Sequence, residues 1–131
     1  MKRDIINPWT WQEGLGFVHA NKVSEAHTHL FVAGQTAGNA EGITQCEGDM
    51  AGQIEQTLRN IATILEQAGM SYANVMRLNI YTTDLPALMA SHDHMVKCLQ
   101  AYGCKHAGTL LGVSALASPA ALVEIEVTAV A

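Results

Sequence analysis

Two carboxylates stand two residues apart in Val123-Glu124-Ile125-Glu126-Val127, where apolar and polar residues alternate. Period two is the repeat of a β-strand, so Glu124 and Glu126 face one side of a sheet while Val123, Ile125, Val127 and Ala129 face the other. A carboxyl group on a half-buried strand loses part of its hydration. A carboxyl group so placed is suited to proton transfer. Glu126 reads as structural. Lys105 and His106 form a basic pair just before Gly108, and either could offer a cation from a loop. His27-Thr28-His29 has a metal-compatible spacing on a strand but no third ligand, so it reads as an exposed turn. His92 and His94 lie two apart on a predicted helix, about 200° around its axis, and do not converge on one ion. Cys46, Cys98 and Cys104 are odd in number and lack C-x-x-C spacing, which indicates reduced thiols rather than a disulfide framework. No metal and no cofactor is predicted.

These residues need elements to hold them. From Asp49 the apolar residues Met50, Ile54, Leu58, Ile61, Leu65 and Ala68 follow a 3.6-residue period, with Asp49 as cap and Gly69 as stop. A second helix is predicted from Asp84, with Pro86 in its first turn, through Leu88, Met89, His92, Met95, Val96 and Leu99 to Gly103. Met89 and Met95 read as packing residues. Val75 to Thr82 and Val123 to Ala129 alternate as half-buried strands. Phe17 to Val23 and His29 to Gly34 read as a strand pair joined by Ser24-Glu25-Ala26-His27, and a weaker strand runs from Thr109 to Val113. The order β-β-α-β-α-β-β predicts an α+β fold with two helices on one face of a mixed sheet. Trp9 and Trp11, ahead of the first strand, either pack across it or line the mouth of a cleft.

Composition bears on partners. A chain of 131 residues fits one domain, 1–131. It is 49% apolar and only 15% charged, which calls for a partner surface; self-association is the first expectation. Seven Lys and Arg against twelve Asp and Glu give a net charge of −5, so no basic footprint exists for nucleic acid or an anionic membrane surface. No apolar run reaches the roughly 18 residues of a spanning helix, and the first eight residues lack the apolar core of a secretory signal. The expected setting is the cytoplasm. Outside the helices, the outer sheet face carries carboxylates while Leu30, Val32, Leu110 and Leu111 supply apolar groups on more than one side, which points to burial against another subunit.

The order and spacing of Gly16-Phe17-Val18-His19-Ala20, Leu30-Phe31-Val32-Ala33-Gly34-Gln35, Leu65 to Gly69, Val75 to Leu85 and Val123 to Val127 resemble the reactive intermediate deaminase family, RidA or YjgF, once labelled L-PSP endoribonuclease. The resemblance runs from about Gly16 to Ala131. It implies a chorismate-mutase-like fold, a homotrimer, and a small-molecule cleft at each subunit boundary that hydrolyses enamines and imines to a keto acid and ammonia without a cofactor. By the same resemblance Glu124 and the backbone carbonyl of Leu110 position water, and Gly34 stands at the end of a strand that matches the family's S-G-Q. Phe17 replaces a common Tyr and keeps the aromatic wall without the hydroxyl, while His92 takes a position that is often Asn. The family's P-A-R-[ST] run, whose Arg clamps the substrate carboxylate, matches His106-Ala107-Gly108-Thr109, so Gly108 stands where the Arg belongs. The substrate-binding set is therefore Phe17, Gly34, His92, Lys105, Gly108 and Thr109. The resemblance implies an imine or enamine hydrolase with an atypical substrate, or else a trimer that binds a metabolite without turnover. The ribonuclease label finds no support in so acidic a chain.

Overall fold

A computed structural model describes residues 1–131. Strand β1 (Lys2–Ile6) pairs antiparallel with β2 (Ala20–Ser24) in a two-stranded ribbon. The main sheet holds β3 (His29–Gln35), β4 (Val75–Thr82), β5 (Leu110–Gly112) and β6 (Val123–Val130) in the order β3-β6-β4-β5. Only the β4–β5 pair is parallel, so the sheet is mixed as expected. Helices α1 (Met50–Gln67), α2 (Leu85–Ala90) and α3 (His92–Ala101) carry the remaining apolar stripes, and the α+β class stands.

Strand β6 is central and its two faces differ as the alternation predicts. Val123, Ile125, Val127 and Ala129 are buried under the helices, while Glu124, Glu126 and Thr128 are half-buried on the opposite face. Ile54, Leu58, Ile61 and Leu65 of α1 complete the core with Leu78 and Ile80 of β4. The α1 boundaries follow the sequence signals: the Asp49 carboxylate accepts from the Gly52 amide at 3.0 Å. At the other end Gly69 adopts φ +69°, and the Met70 amide reaches back to the Leu65 carbonyl at 2.9 Å.

Four sequence expectations need correction. The predicted second helix is two helices, because the Ser91 amide closes α2 on the Ala87 and Leu88 carbonyls while the Ser91 carbonyl opens α3 by accepting from Met95. Strand β2 starts at Ala20 rather than Phe17, and it does not pair with β3. Instead Glu25 takes φ 56° and the His27 and Thr28 amides both donate to the Ala131 carbonyl, which carries the chain onto β6. β1 was not expected, since five residues whose only partner lies in a distant segment carry little local signal. Leu30 and Val32 point toward the core, so the apolar residues on the outer sheet face are Phe31, 78% exposed, and Leu111, 47% exposed.

Fully buried Gln53 links three backbone segments. Its amide nitrogen donates to the carbonyls of Cys46 and Ala120 and its oxygen accepts from the Leu122 amide at 2.7 Å, so one side chain ties the start of β6 and the loop before α1 to the helix. Replacing Gln53 with Ala leaves those groups buried without partners, at a cost of about 2–4 kcal/mol. Urea unfolding monitored by circular dichroism should show the midpoint fall with an unchanged slope; a midpoint equal to wild type would mean the three bonds contribute nothing net.

Candidate functional site

The outer sheet face holds the two carboxylates, and their surroundings separate them. Glu126 is engaged: the Tyr81 hydroxyl donates to its Oε1 at 2.5 Å and the Asn79 amide donates to the same oxygen at 3.1 Å. Hydrogen bonds to the ionised form, that from Tyr81 first, hold its carboxyl below the usual range. The same bond raises the Tyr81 phenol, because losing its proton would leave two negative charges side by side. The Glu124 side chain makes no hydrogen bond or ion pair within the chain. Its register partner on β4 is Tyr81, whose hydroxyl is already committed to Glu126.

Gly34 makes room for Glu124. Between Val32 and Gln35 strand β3 gains one residue relative to β6, a bulge of the kind that re-aims side chains beside functional sites. A Cβ placed on Gly34 would collide with Oε1 of Glu124, so the carboxyl group lies directly on the glycine backbone. Only a residue without a side chain lets the two approach.

On the helix face, a cavity of about 430 Å³ is lined by Phe17, Met89, His92, Met95, Gly108, Thr109 and Leu110, among others. Five of the predicted site residues thus meet at one place. β5 is the sheet's edge, and the Ile80 amide donates to the Thr109 carbonyl at 2.8 Å. Strand alternation then turns the Leu110 carbonyl to the free edge, away from β4. His106 also lines the cavity, where burial pushes its imidazole down to about 4; it is neutral near pH 7 and offers no cation. Phe17 is held edge-on by Trp11 at 5.8 Å between ring centres, and His19 contacts Trp9, Trp11 and Phe17 in the same manner. Trp9 and Trp11 are 61% and 63% exposed, beside the cavity wall rather than beneath it.

Gly108 has a backbone reason. A Cβ there would run into the Leu78 carbonyl oxygen of β4. In the segment leading to β5, Ala107 exchanges two bonds with Met76 and Leu78, but the next ladder bond is missing because the Thr109 amide turns to the Asn79 side-chain oxygen at 3.1 Å. The chain presses against β4 at Gly108, where any side chain would meet the Leu78 carbonyl.

Three predicted residues lie apart from the cavity. Glu124 and Gly34 occupy the other face of the same sheet, and Lys105 lines a separate hollow with Ile5, Asn7 and Gln12. The Lys105 carbonyl there accepts from the Arg3 guanidinium and the Asn21 amide. Tyr81 and Asn79 are the residues that sequence reasoning missed; their alternation with Leu78 and Ile80 on β4 placed them on the face of Glu124, which was the available signal.

The family model for Endoribonuclease L-PSP matches residues 16–131. A RutC family protein of Aquifex aeolicus is 32% identical over 106 residues, covering 81% of this chain and 83% of its own. The Rid-family protein YyfB of Yersinia pestis superposes over the full length of both chains with a TM-score of 0.86 and 35% identity. The YjgF gene product of E. coli, at 22% identity, has the same fold with a TM-score of 0.69 over 83% of this chain and 87% of its own. No helix is long and apolar enough to cross a membrane. With the family model matched from Gly16 to the last residue, and with Rid and RutC proteins similar along most of its length, the chain belongs to the Endoribonuclease L-PSP (RidA/YjgF) family.

Proposed function

We propose that the chain hydrolyses a small imine or enamine in clefts formed between copies of itself in a homotrimer. The observation that carries this reading is the Glu124 carboxyl group, unpartnered on a half-buried strand and resting on Gly34. Water adds to the electrophilic imine carbon while Glu124 takes one of its protons and passes it to nitrogen, giving a carbinolamine; Glu124 then carries the hydroxyl proton to the amino nitrogen, the C–N bond breaks, and ammonia leaves as the carbonyl forms. Within one chain Glu124 and the 430 Å³ cavity lie on opposite faces of the sheet, so a second copy must bring its outer face to the first copy's edge. Exposed Phe31 and Leu111 on that face supply apolar area for such contact. The Leu110 carbonyl, turned to the free edge, is the second water partner; Phe17, His92, Gly108 and Thr109 enclose the substrate.

The substrate carries no carboxylate that depends on an arginine clamp. No guanidinium faces the cavity, and its walls are mainly apolar. The reading therefore favours an imine or enamine recognised by shape, without a metal or organic cofactor, in the reducing cytoplasm where three free thiols persist. A second reading, a trimer that binds a metabolite without turnover, is favoured by the absence of both a guanidinium at the cavity and a phenolic hydroxyl at position 17.

Ammonia release from uncharged imines generated in situ should exceed that from 2-iminobutyrate. Glu124→Gln should lower it at least ~100-fold with the trimer intact. Binding of these imines with no ammonia release by wild type would select the second reading instead.

Gly108→Arg tests the clamp directly. Because the Leu78 carbonyl occupies the place of the new Cβ, the variant should melt at lower temperature and gain no rate on 2-iminobutyrate. A stable variant with gained turnover would show that the loop relaxes to accept the arginine.

The Tyr81–Glu126 bond makes a pH prediction. A carboxyl held low in the folded chain contributes stability above its unfolded pKa, and this is lost as pH falls through the folded value. In Tyr81→Phe the Glu126 carboxyl-carbon resonance should titrate at higher pH than in wild type and the acid-side loss of stability should shrink. An unmoved titration would assign the shift to Asn79 alone.

A further inference from the structure

A second cluster lies on the helix surface, away from the sheet and its carboxylates. Glu55 projects from α1, and His94 and Cys98, four residues apart, project from one face of α3. His94 Nε2 is 3.0 Å from Glu55 Oε1 and 3.8 Å from Cys98 Sγ, and the three donor atoms all lie within 4.8 Å of one another. Bonds of about 2.0–2.3 Å to a tetrahedral zinc ion set donors roughly 3.3–3.8 Å apart, so these side chains need only small rotamer adjustments to share one ion.

We propose that Glu55, His94 and Cys98 bind a borderline divalent cation of the zinc class between α1 and α3. One carboxylate, one imidazole and one thiolate form a mixed O, N, S set that disfavours magnesium and calcium, which take oxygen ligands. Two ligand charges balance the ion. The fourth position opens on a hollow of about 330 Å³ lined by Leu58, Ala101 and Tyr102, where water or a small ligand completes the shell. Arg59 stands 3.8 Å from the other Glu55 oxygen, Oε2, and leaves Oε1 to the ion. Binding exchanges the Cys98 thiol proton for the ion. His-x-x-x-Cys was visible in the sequence, but Glu55 lies 39 positions before His94 and only the packing of α1 on α3 brings it there.

The full chain, reduced and stripped with chelator, is titrated with cobalt(II) and then with zinc(II). One equivalent of cobalt should produce thiolate-to-cobalt charge-transfer absorption that zinc abolishes, and zinc should raise the melting temperature. Cys98→Ser should remove the band, Glu55→Gln and His94→Asn should each weaken binding on the order of 100-fold, and Cys46→Ser should leave it unchanged. The proposal is overturned if wild type shows no such band, if the band survives in Cys98→Ser, or if Glu55→Gln and His94→Asn both bind as tightly as wild type. Because the readout is optical and thermal, it is independent of whether the sheet-side carboxylate supports hydrolysis.

Discussion

Strand β6 has to satisfy two environments at once, and the rest of the molecule is arranged around that demand. Its inward residues, Val123, Ile125, Val127 and Ala129, are essentially inaccessible to solvent. Each large aliphatic among them contributes about 1.5–3 kcal/mol on burial. A slip of one residue against β3 or β4 would exchange the faces and put Glu124 and Glu126 in the core, where an unpaired carboxylate is far more costly than the slip could recover. The aim of Glu124 is therefore inherited from the packing of α1 on the sheet. The bulge in β3 then settles what lies beneath it: a glycine whose backbone the carboxyl group can touch.

Legibility from sequence followed the range of the interactions. α1, β4 and β6 repeat their pattern over enough residues to be read alone, and both the Asp49 cap and the Gly69 stop were explicit. β1 and the partner of β2 depended on residues nearly twenty positions apart, and the turn that sends β3 to β6 rests on the Ala131 carbonyl, which no local pattern announces. The break at Ser91 was invisible because both halves carry apolar residues in nearly continuous phase. For the site, residue types were legible and faces were partly so. That Glu124 sits across the sheet from Phe17, His92 and Gly108, and that Lys105 lies apart from the cavity where it was expected to bind substrate, depends on the strand order of the folded sheet, which no local pattern announces.

At residue 108 backbone packing dictates the residue type. The segment before β5 lies so close to β4 that the Leu78 carbonyl fills the space a side chain would need, and Asn79 diverts the Thr109 amide from the regular ladder. Asn79 also supports Glu126, so the glycine, the irregular ladder and the fixed carboxylate form one connected arrangement. Installing a longer side chain disturbs all three.

The placement of the arginines completes the electrostatic argument. Arg3 is occupied by the Ala73 and Lys105 carbonyls, Arg59 pairs with Glu55, and Arg77 lies exposed on the outer sheet face. A bidentate guanidinium–carboxylate pair recognises charge and geometry together. An apolar cavity with neutral His106 instead discriminates by fit, at about 1–3 kcal/mol per misplaced methylene. At about 430 Å³ the cavity has the size of a small-molecule site, and its selectivity must come from the shape set by Phe17, Met89 and Met95. The flexible thioethers of two of these walls let that shape adjust, so the cavity selects by approximate fit and not by one fixed charge contact.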